Sequence, residues 1–328
     1  MHLLRLALPT DQDGLVTRSG AVRVGLDDRE LSRLVRAEVL VRLRRGVYVD
    51  GERWRALDPF RGQPLLRVRA AQLSLQCDHV LSHDSAALVL GLGVPDARRS
   101  IVHITRPKVH GDAVRAGVKH HLAPYRPSQV EEIDRFRLLD RARTALDMAR
   151  EHGLVAGVAC CDRALRLGTT RAELDAARAA MWCWPGSSIM DLSLDLADPG
   201  AESWLESAGR VLVHSLGAGR PETQFGLTDG HRSVWCDLRL DRHVFEVDGW
   251  LKYEPDGEAA RQVLQQEKLR QDFLGGFKLG VSRITVTDCG SGWEAARQRL
   301  AREYSDTCAR FGTDVRDLAP YRIRRRAA

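Results

Sequence analysis

The chain has 328 residues, 44% of them hydrophobic, and a formal net charge of +6 at pH 7. This composition predicts a globular protein of two or three domains, and the modest positive charge permits a polyanionic partner. No apolar run reaches the roughly 18 residues that a membrane helix needs, and the first residues lack a secretory pattern, so we expect a cytoplasmic protein with no membrane partner. Seven scattered cysteines without a Cys-x-x-Cys pair also favour a reducing compartment and argue against disulfides and structural zinc.

The first 55 residues predict two short helices followed by a hairpin. Thr17 is expected to cap a first helix that runs to about Val24, and Asp27 to cap a second helix, with Glu30 completing a capping box. Hydrophobic residues of the second helix share one face, which leaves polar side chains on the other. The residues on this outer face are Arg29, Ser32, Arg33 and Arg36. A helix pair with a basic outer face is typical of modules that enter the DNA major groove.

The hairpin is predicted from two β-rich runs, residues 39–43 and 47–49, joined by Arg44-Arg45-Gly46. Placed after the helix pair, it would form a wing that brings Arg42, Arg44 and Arg45 beside phosphates, where each neutralised phosphate releases a counterion. The sequence therefore predicts a winged helix-turn-helix over residues 1–55, with double-stranded DNA as its partner. The alternative interpretation is that these arginines are only a solvated surface.

Residues 13–18 and 41–49 resemble the winged helix of AbiEi-type antitoxins, which are transcriptional regulators of type IV toxin–antitoxin systems. The resemblance implies that this module binds operator DNA, with Arg18 among its DNA-binding residues. It also implies a second domain over residues 56–185 that supports the module or contacts partners, and a cognate toxin protein as one partner. The stretches that resemble the second domain are residues 82–87, 102–107, 143–147 and 161–165.

Two histidine motifs in the middle of the chain are not expected to form catalytic or metal sites. Ser82-His83-Asp84-Ser85 has the residue types of a hydrolase triad, but neighbours on one segment do not orient each other as triad members do. These residues are predicted instead to cap the helix that follows. His120 and His121 point to opposite faces of a predicted strand, and no further ligand lies nearby in sequence, so no metal site is expected there.

Residues 198–310 predict a further unit with the element order helix, three strands, helix, strand. Its first helix is expected to carry Glu202 and Glu206. This order is that of the PD-(D/E)xK nuclease core, so the fold class expected for the chain is α/β with several domains, the last of them an αβββαβ restriction-endonuclease-like domain. Residues 311–328 are expected to be a basic tail. The elements after the first helix are predicted at residues 223–227, 234–240, 243–248, 258–277, 281–286 and 293–304.

The central hairpin of this unit is predicted to bring carboxylates together. If Asp241-Arg242 forms its turn, Leu240 pairs with His243, and Asp237 lies directly opposite Glu246. Like charges opposite each other across a hairpin are destabilising, and burial disfavours them further. A wider turn would shift the register by one residue and weaken this arrangement.

A divalent cation would remove this electrostatic penalty. Asp248 points to the same face as Asp237, and Glu206 of the preceding helix could add another carboxylate, so Mg²⁺ or Mn²⁺ is the cofactor expected. Such an ion assists phosphodiester cleavage. The alternative is a surface cluster in which the carboxylates pair with Arg239 or Arg242.

A second resemblance concerns this same unit. It is similar to a C-terminal domain found beside AbiEi-like winged helices, which in turn resembles very-short-patch-repair endonucleases. The resemblance implies that Asp237 and Glu246 are metal ligands and that Asp248 belongs to a Glu-x-Asp-Gly variant of the motif. The usual lysine two residues after the acid is absent, so Lys252 or Lys268 would take its place. The stretches that carry this resemblance are residues 246–253, 267–270 and 280–283.

Three functions stay open on the sequence alone. The first is an AbiEi-like transcriptional regulator fused to a nuclease-like domain. The second is an active Mg²⁺-dependent DNA endonuclease in defence or repair, and the third is an interaction protein that neutralises a toxin. The residues expected to act in cleavage are Glu206, Asp237, Glu246, Asp248 and Lys252.

Overall fold

The computed structural model describes residues 8–97, 101–106, 111–249 and 258–323, with the side chains of residues 258–264 left out. The chain divides into two compact units, Met1–His152 and Gly153–Ala328. Helices combine with two sheets in the described part of the first unit and with one in that of the second, which confirms the mixed α/β class. Within the described ranges, no helix has both the length and the apolar character that crossing a bilayer requires.

The first unit begins with a small helical module and continues into a larger sheet. Its helices are α1 (Arg18–Arg23), α2 (Asp28–Arg36), α3 (Gly51–Ala56), α4 (Gly62–Gln72), α5 (His83–Leu90) and α6 (Arg141–His152). Its strands are β1 (Leu15–Thr17), β2 (Leu40–Arg44), β3 (Val47–Asp50), β4 (Val80–Leu81), β5 (Val102–Thr105), β6 (Ala113–Arg115), β7 (Val118–His121), β8 (Val130–Ile133) and β9 (Phe136–Leu139). A 3₁₀ turn, Pro127–Gln129, precedes β8.

Local hydrogen bonds define the helices of the amino-terminal module. Thr17 Oγ1 accepts the N–H of Gly20 at 3.1 Å and so caps α1, as predicted. Asp27 Oδ1 accepts the N–H of Glu30 at 2.8 Å, while Glu30 Oε2 accepts the N–H of Asp27 at 3.0 Å. The predicted capping box is therefore confirmed. Leu31 is the buried residue of α2, and it packs with residues of both α1 and the sheet.

The sheet of this module has the order β1-β3-β2, with both pairings antiparallel. Arg45 and Gly46 form the turn between β2 and β3, and Gly46 adopts the left-handed conformation, φ 79°, that such a tight turn requires. The predicted hairpin is confirmed, although Arg44 belongs to β2 and the ladder shifts register between Arg42 and Arg44. This irregularity twists the hairpin next to its basic tip.

The larger sheet of the first unit has the order β6-β7-β5-β4-β9-β8. Its β5–β7 and β4–β9 pairs are parallel, and the others are antiparallel. Helix α5 starts directly after β4 and packs against β5 and α6. Strand and helix therefore meet at the polar start of α5.

The second unit is a five-stranded sheet with helices. Its helices are α7 (Leu154–Arg166), α8 (Arg171–Ala180), α9 (Ser187–Leu196), α10 (Trp204–His214), α11 (Glu258–Gly276) and α12 (Trp293–Phe311). Its strands are β10 (Glu222–Thr228), β11 (Ser233–Leu240), β12 (His243–Asp248), β13 (Gly280–Thr285) and β14 (Arg322–Ile323), with a 3₁₀ helix, Arg316–Tyr321, before the last. The strand order is β13-β12-β11-β10-β14, and among the described strands only the β12–β13 pair is parallel.

Two hydrophobic clusters hold the helices to this sheet. In one, Leu212 of α10 and Leu300 of α12 pack with Phe245 and other sheet residues. In the other, Leu274 of α11 packs with residues such as Phe225. The order α10, β10, β11, β12, α11, β13 is the predicted helix, three strands, helix, strand. Burial of one apolar surface on each side of the sheet thus positions the central hairpin between helices.

Three larger departures from the predicted elements concern the second unit. Helix α10 begins at Trp204 with Ser203 as its cap, so Glu202 lies outside the helix that was expected to carry it. The last long helix continues to Phe311 instead of ending near Tyr304. Within the expected basic tail, residues 322 and 323 form β14 on the edge of β10.

Candidate functional site

The outer face of α2 carries solvated cations. Arg29, Ser32, Arg33 and Arg36 are all exposed, as the helical periodicity predicts. Arg36 Nε lies 3.4 Å from the carbonyl of Ser32, and Arg33 Nη2 lies 3.8 Å from Glu30 Oε1. These are weak surface contacts. The guanidinium groups are therefore able to exchange them for another anion.

The hairpin adds a second set of basic side chains. Arg42 and Arg45 are exposed, whereas Arg44 is half-buried, and this burial lowers the pKa of its guanidinium. Arg18 is bound by Asp28, with Nε and Nη2 each 2.6 Å from a carboxylate oxygen. The hydrogen bond to Asp28 raises the pKa of Arg18. Arg18 can reach a phosphate only by giving up Asp28, so the two exposed hairpin arginines are the better contacts.

The predicted turn of the β11–β12 hairpin is confirmed. Leu240 pairs with His243 and Leu238 pairs with Phe245. The antiparallel pairing of the two strands ends at Leu238 and Phe245, so the expected Asp237–Glu246 pair lies beyond the ladder, although the negative charge of Glu246 still acts on Asp237. Asp237 Oδ2 accepts the N–H of Val247 at 2.7 Å. One carboxylate of the predicted pair is thus held firmly against the neighbouring strand.

The electrostatics of Asp237 are those of a crowded acidic site. Burial raises its pKa to about 6, and the negative charges of Glu246 and Glu206 add to the rise. The hydrogen bond from Val247 and the positive charge of Arg270 oppose it. The charges of two glutamates therefore act on Asp237 at the hairpin.

Glu246 is bound by an arginine that the sequence pattern did not single out. Arg270 of α11 donates from Nη2 to Glu246 Oε1 at 2.6 Å and to the carbonyl of Trp235 at 2.5 Å. The hydrogen bond and charge of Glu246 raise the pKa of Arg270, although burial acts in the opposite direction. The only sequence signal is the stretch 267–270, in which Lys268 is the cation expected to act, and Lys268 is exposed.

The remaining predicted acids lie in different surroundings. Asp248 is exposed, with 54% of its side chain accessible and Arg283 Nη1 at 3.7 Å. Glu206 accepts hydrogen bonds from the N–H of Glu202 at 2.8 Å and the hydroxyl of Ser203 at 2.9 Å, so it also fastens the start of α10. In the described residues, the predicted acids do not form a group of three whose oxygens all lie within 4.8 Å of one another. Lys252 lies outside the described residues.

The surface salt-bridge alternative is not the arrangement found. Arg239 pairs with Glu222, Nη2 to Oε2 at 2.6 Å, and Arg242 pairs with Asp317. The arginines considered as partners of Asp237 and Glu246 therefore bind other acids.

A separate cluster of histidines lies in the first unit. His83, His103 and His121 offer ring nitrogens that all lie within 4.8 Å of one another, and all three residues are buried. The predicted capping role of the 82–85 motif needs correction. Ser82 occupies the position before α5, but its hydroxyl makes no capping bond and lies 3.0 Å from His83 Nδ1. No sequence signal favours His121 as a ligand, because its partners are distant along the chain.

Comparison with known families agrees with the geometry of the amino-terminal module. Residues 8–49 match the family model described as transcriptional regulator, AbiEi antitoxin. The matched stretch contains α1, α2, β2 and most of β3, and so includes the basic helix face and the hairpin. No curated protein matches the chain.

Proposed function

We propose that this chain is a DNA-binding transcriptional regulator whose residues 8–49 form a winged helix-turn-helix. The observation that carries the proposal is the outer face of α2, where Arg29, Arg33 and Arg36 are exposed beside a hairpin with two further exposed arginines. The match of this same segment to a transcriptional-regulator family supports it.

In this proposal, α2 enters the major groove and the hairpin lies along the backbone. The capping box fixes where α2 begins, and Leu31 anchors its inner side, so the outer side chains project from a rigid element. Arg42 and Arg45 contact phosphates, which sets orientation and affinity without reading sequence. Side chains of α2, Ser32 included, reach the base edges that specify a site.

The test compares two double variants in a fluorescence anisotropy titration. The probes are a duplex from the region upstream of the gene and a duplex of random sequence, each over a range of salt concentrations. Arg33→Gln with Arg36→Gln is expected to weaken binding to both, and to reduce the salt slope by about 0.9 for each phosphate that is no longer neutralised. Arg302→Gln with Arg310→Gln, exposed residues of α12, is the control of equal charge change. If both double variants have the same DNA affinity and the same salt slope, the outer face of α2 is excluded as a DNA contact.

A second candidate function is Mg²⁺-dependent phosphodiester cleavage by the second unit. The observation in its favour is that the pKa of Asp237 is raised to about 6 by burial and by the negative charges of Glu246 and Glu206. The predicted αβββαβ order is present around these residues. Perturbed carboxylates of this kind are typical of functional sites.

A magnesium ion is better matched by two of the predicted acids than by all three. Asp237 and Glu246 would hold the ion, since Mg²⁺ uses one or two carboxylates and completes its shell with water and substrate phosphate. Asp248 does not fit, because its side chain is exposed beside Arg283. When bound, the ion would activate water and stabilise the leaving oxygen. Arg270, bound to one oxygen of Glu246, would orient that carboxylate and supply a fixed positive charge near the phosphate.

The cleavage test uses supercoiled plasmid with Mg²⁺ or Mn²⁺. Nicking or cutting is expected for the native chain and is expected to be lost in Asp237→Asn and in Glu246→Gln. Asp248→Asn, a neighbouring acid of the same strand, is the matched control and is expected to keep activity. If the native chain cuts no DNA, or if the control loses as much activity as the other variants, cleavage at this site is excluded and the transcriptional-regulator proposal is left.

Neutralisation of a toxin protein stays a prediction from the family resemblance. No contact in the described residues favours it over the two proposals above. Its test is rescue of growth when the chain is co-expressed with a toxin encoded beside it.

A further inference from the structure

Three histidines from three different elements meet inside the first unit. His83 is the first residue of α5, His103 lies on β5 and His121 ends β7, and each is 3% exposed. Their ring nitrogens lie within 4.8 Å of one another, and no other such group of three possible ligands occurs in the described residues. The cluster lies outside the module and the carboxylate site discussed above, so the inference drawn from it does not rest on the proposed function.

The sheet register explains why His121 takes part and His120 does not. In the parallel β5–β7 pair, Thr105 is opposite His121 and Ile104 is opposite His120. Side chains alternate along a strand, so His103, Thr105 and His121 share one face of the sheet. His120 points to the other face, where its ring accepts a hydrogen bond from Arg106 at 3.0 Å.

In His103 and His121, ring nitrogens that could bind a metal ion already face each other. His121 Nε2 lies 3.0 Å from His103 Nδ1. Two nitrogens bound to one tetrahedral Zn²⁺ at about 2.0–2.1 Å would lie about 3.3 Å apart. For an ion to replace the shared hydrogen of this pair, the nitrogens must separate by about 0.3 Å and both rings must tilt so that their lone pairs converge on the ion.

Carboxylates lie near the other ring nitrogens of these histidines, as they do near many metal-binding histidines. His121 Nδ1 lies 3.1 Å from Asp112 Oδ2, on the side of the ring opposite His103. His103 Nε2 lies 4.0 Å from Asp84 Oδ2, and His83 Nε2 lies 3.9 Å from Asp147 Oδ1. Of these three contacts, the one to Asp112 is a hydrogen bond, so Asp112 fixes the orientation of His121 and raises its basicity as a ligand.

His83 is held in a strained and adjustable position. Its φ is 47°, in the left-handed region that a histidine rarely adopts at the start of a helix. Its ring stacks on His121 with centroids 3.7 Å apart and planes at 12°. Stacked rings direct their lone pairs in parallel, so His83 must turn to share an ion with the other two.

We propose that His83, His103 and His121 form a binding site for one divalent transition-metal ion, with Zn²⁺ as the best match. Imidazole nitrogens suit Zn²⁺ and related ions, whereas Mg²⁺ requires oxygen ligands. Three histidines leave a fourth position for a water molecule. A buried polar atom supports this position: Thr105 Oγ1 has no hydrogen-bond partner among the described residues and lies on the same sheet face. Burial also lowers the pKa of all three rings, so at pH 7 they carry the free lone pair that binding needs.

The experiment titrates the chelator-treated full chain with Zn²⁺ in a calorimeter and with Co²⁺ in a spectrophotometer. We expect one Zn²⁺ per chain and the visible absorption of four-coordinate Co²⁺. The absence of a thiolate charge-transfer band would separate this site from binding by the free cysteines.

Variants identify the ligands. His103→Gln and His121→Gln are expected to abolish binding. His120→Gln, the neighbouring residue of β7 that points to the other face of the sheet, is expected to retain it. Asp112→Asn, whose parent side chain is 53% exposed, is expected to weaken binding by about 10–100-fold without disturbing the core. If a histidine variant fails to fold, the affinity of Asp112→Asn for the ion tests the proposal in its place. A native chain that binds neither ion, or binding that Asp112→Asn and His121→Gln leave unchanged, would overturn the proposal.

Discussion

Replacing Asp237 by asparagine is expected to stabilise the second unit at pH 8. Burial and the negative charges of two glutamates raise the pKa of this carboxyl from its ordinary 3.8 to about 6. A rise of about 2 units corresponds to about 3 kcal/mol at 1.36 kcal/mol per unit, and solvent screening of this partly exposed group reduces the figure to about 1–2 kcal/mol. Asparagine keeps an oxygen that can accept the N–H of Val247, so the substitution removes charge and little else.

The pH dependence gives the sign of the effect. The folded pKa of Asp237 lies above the unfolded one, so the folded chain holds this proton more tightly. Native stability from this group is therefore lost as the pH rises from about 4 to about 6. The asparagine variant has no such step, and the gap between the two chains is expected to grow from pH 5 to pH 8.

Urea unfolding followed by tryptophan fluorescence measures this gap. Six of the seven tryptophans lie after residue 152, all but Trp54, so the signal reports chiefly on the second unit. Asp248→Asn is the control, since its carboxylate is exposed beside Arg283 and is expected to change the unfolding midpoint little. A variant at position 237 that is less stable than the native chain at pH 8, or a gap that is the same at both pH values, would refute the reasoning.

Three further expectations concern other parts of the chain. Asp27→Ala removes half of the capping box with Glu30 and is expected to cost about 1 kcal/mol, seen as faster hydrogen exchange in α2 alone; faster exchange throughout the unit would contradict a local role. Asp162→Asn leaves the guanidinium of Arg210, which is 0% exposed, without its counter-charge, and is expected to lower the free energy of unfolding by about 3–5 kcal/mol in urea; a loss under about 1 kcal/mol would show that the pair is dispensable. Cys183, the exposed cysteine of the described residues, is expected to react with a neutral thiol reagent before the others, as peptide mapping would show; earlier labelling of a buried cysteine would contradict the packing.

Features set by neighbouring residues could be predicted from the sequence. The capping box needs only Asp27 and Glu30, three residues apart, and the turn at Asp241-Arg242 fixes the pairing of Leu240 with His243. In both cases, the chain brings the partners together without help from the rest of the fold. Local hydrogen bonds and alternation along a strand are sufficient for this purpose.

Features that depend on distant segments could not be predicted. Arg270 reaches Glu246 from a helix 24 residues along the chain, and charge alone did not distinguish it from Lys268. Alternation correctly placed His120 and His121 on opposite faces. It could not show that β7 runs parallel to β5, which is the pairing that brings His121 to His103. Parallel pairing joins strands that are separated by a crossover, so no short sequence pattern reports it.

The short strand β14 has a consequence for synthesis of the chain. It pairs with Gly226 and Leu227 on the outer edge of β10, and Arg322 also binds Glu222, 100 residues earlier. Ribosomes add about 5–20 residues per second, so that edge waits about 5–20 s before its cover has been made. During this interval its open hydrogen-bonding groups can join another nascent chain. A chaperone that shields this part of β10 until residues 322 and 323 have been made would limit such pairing.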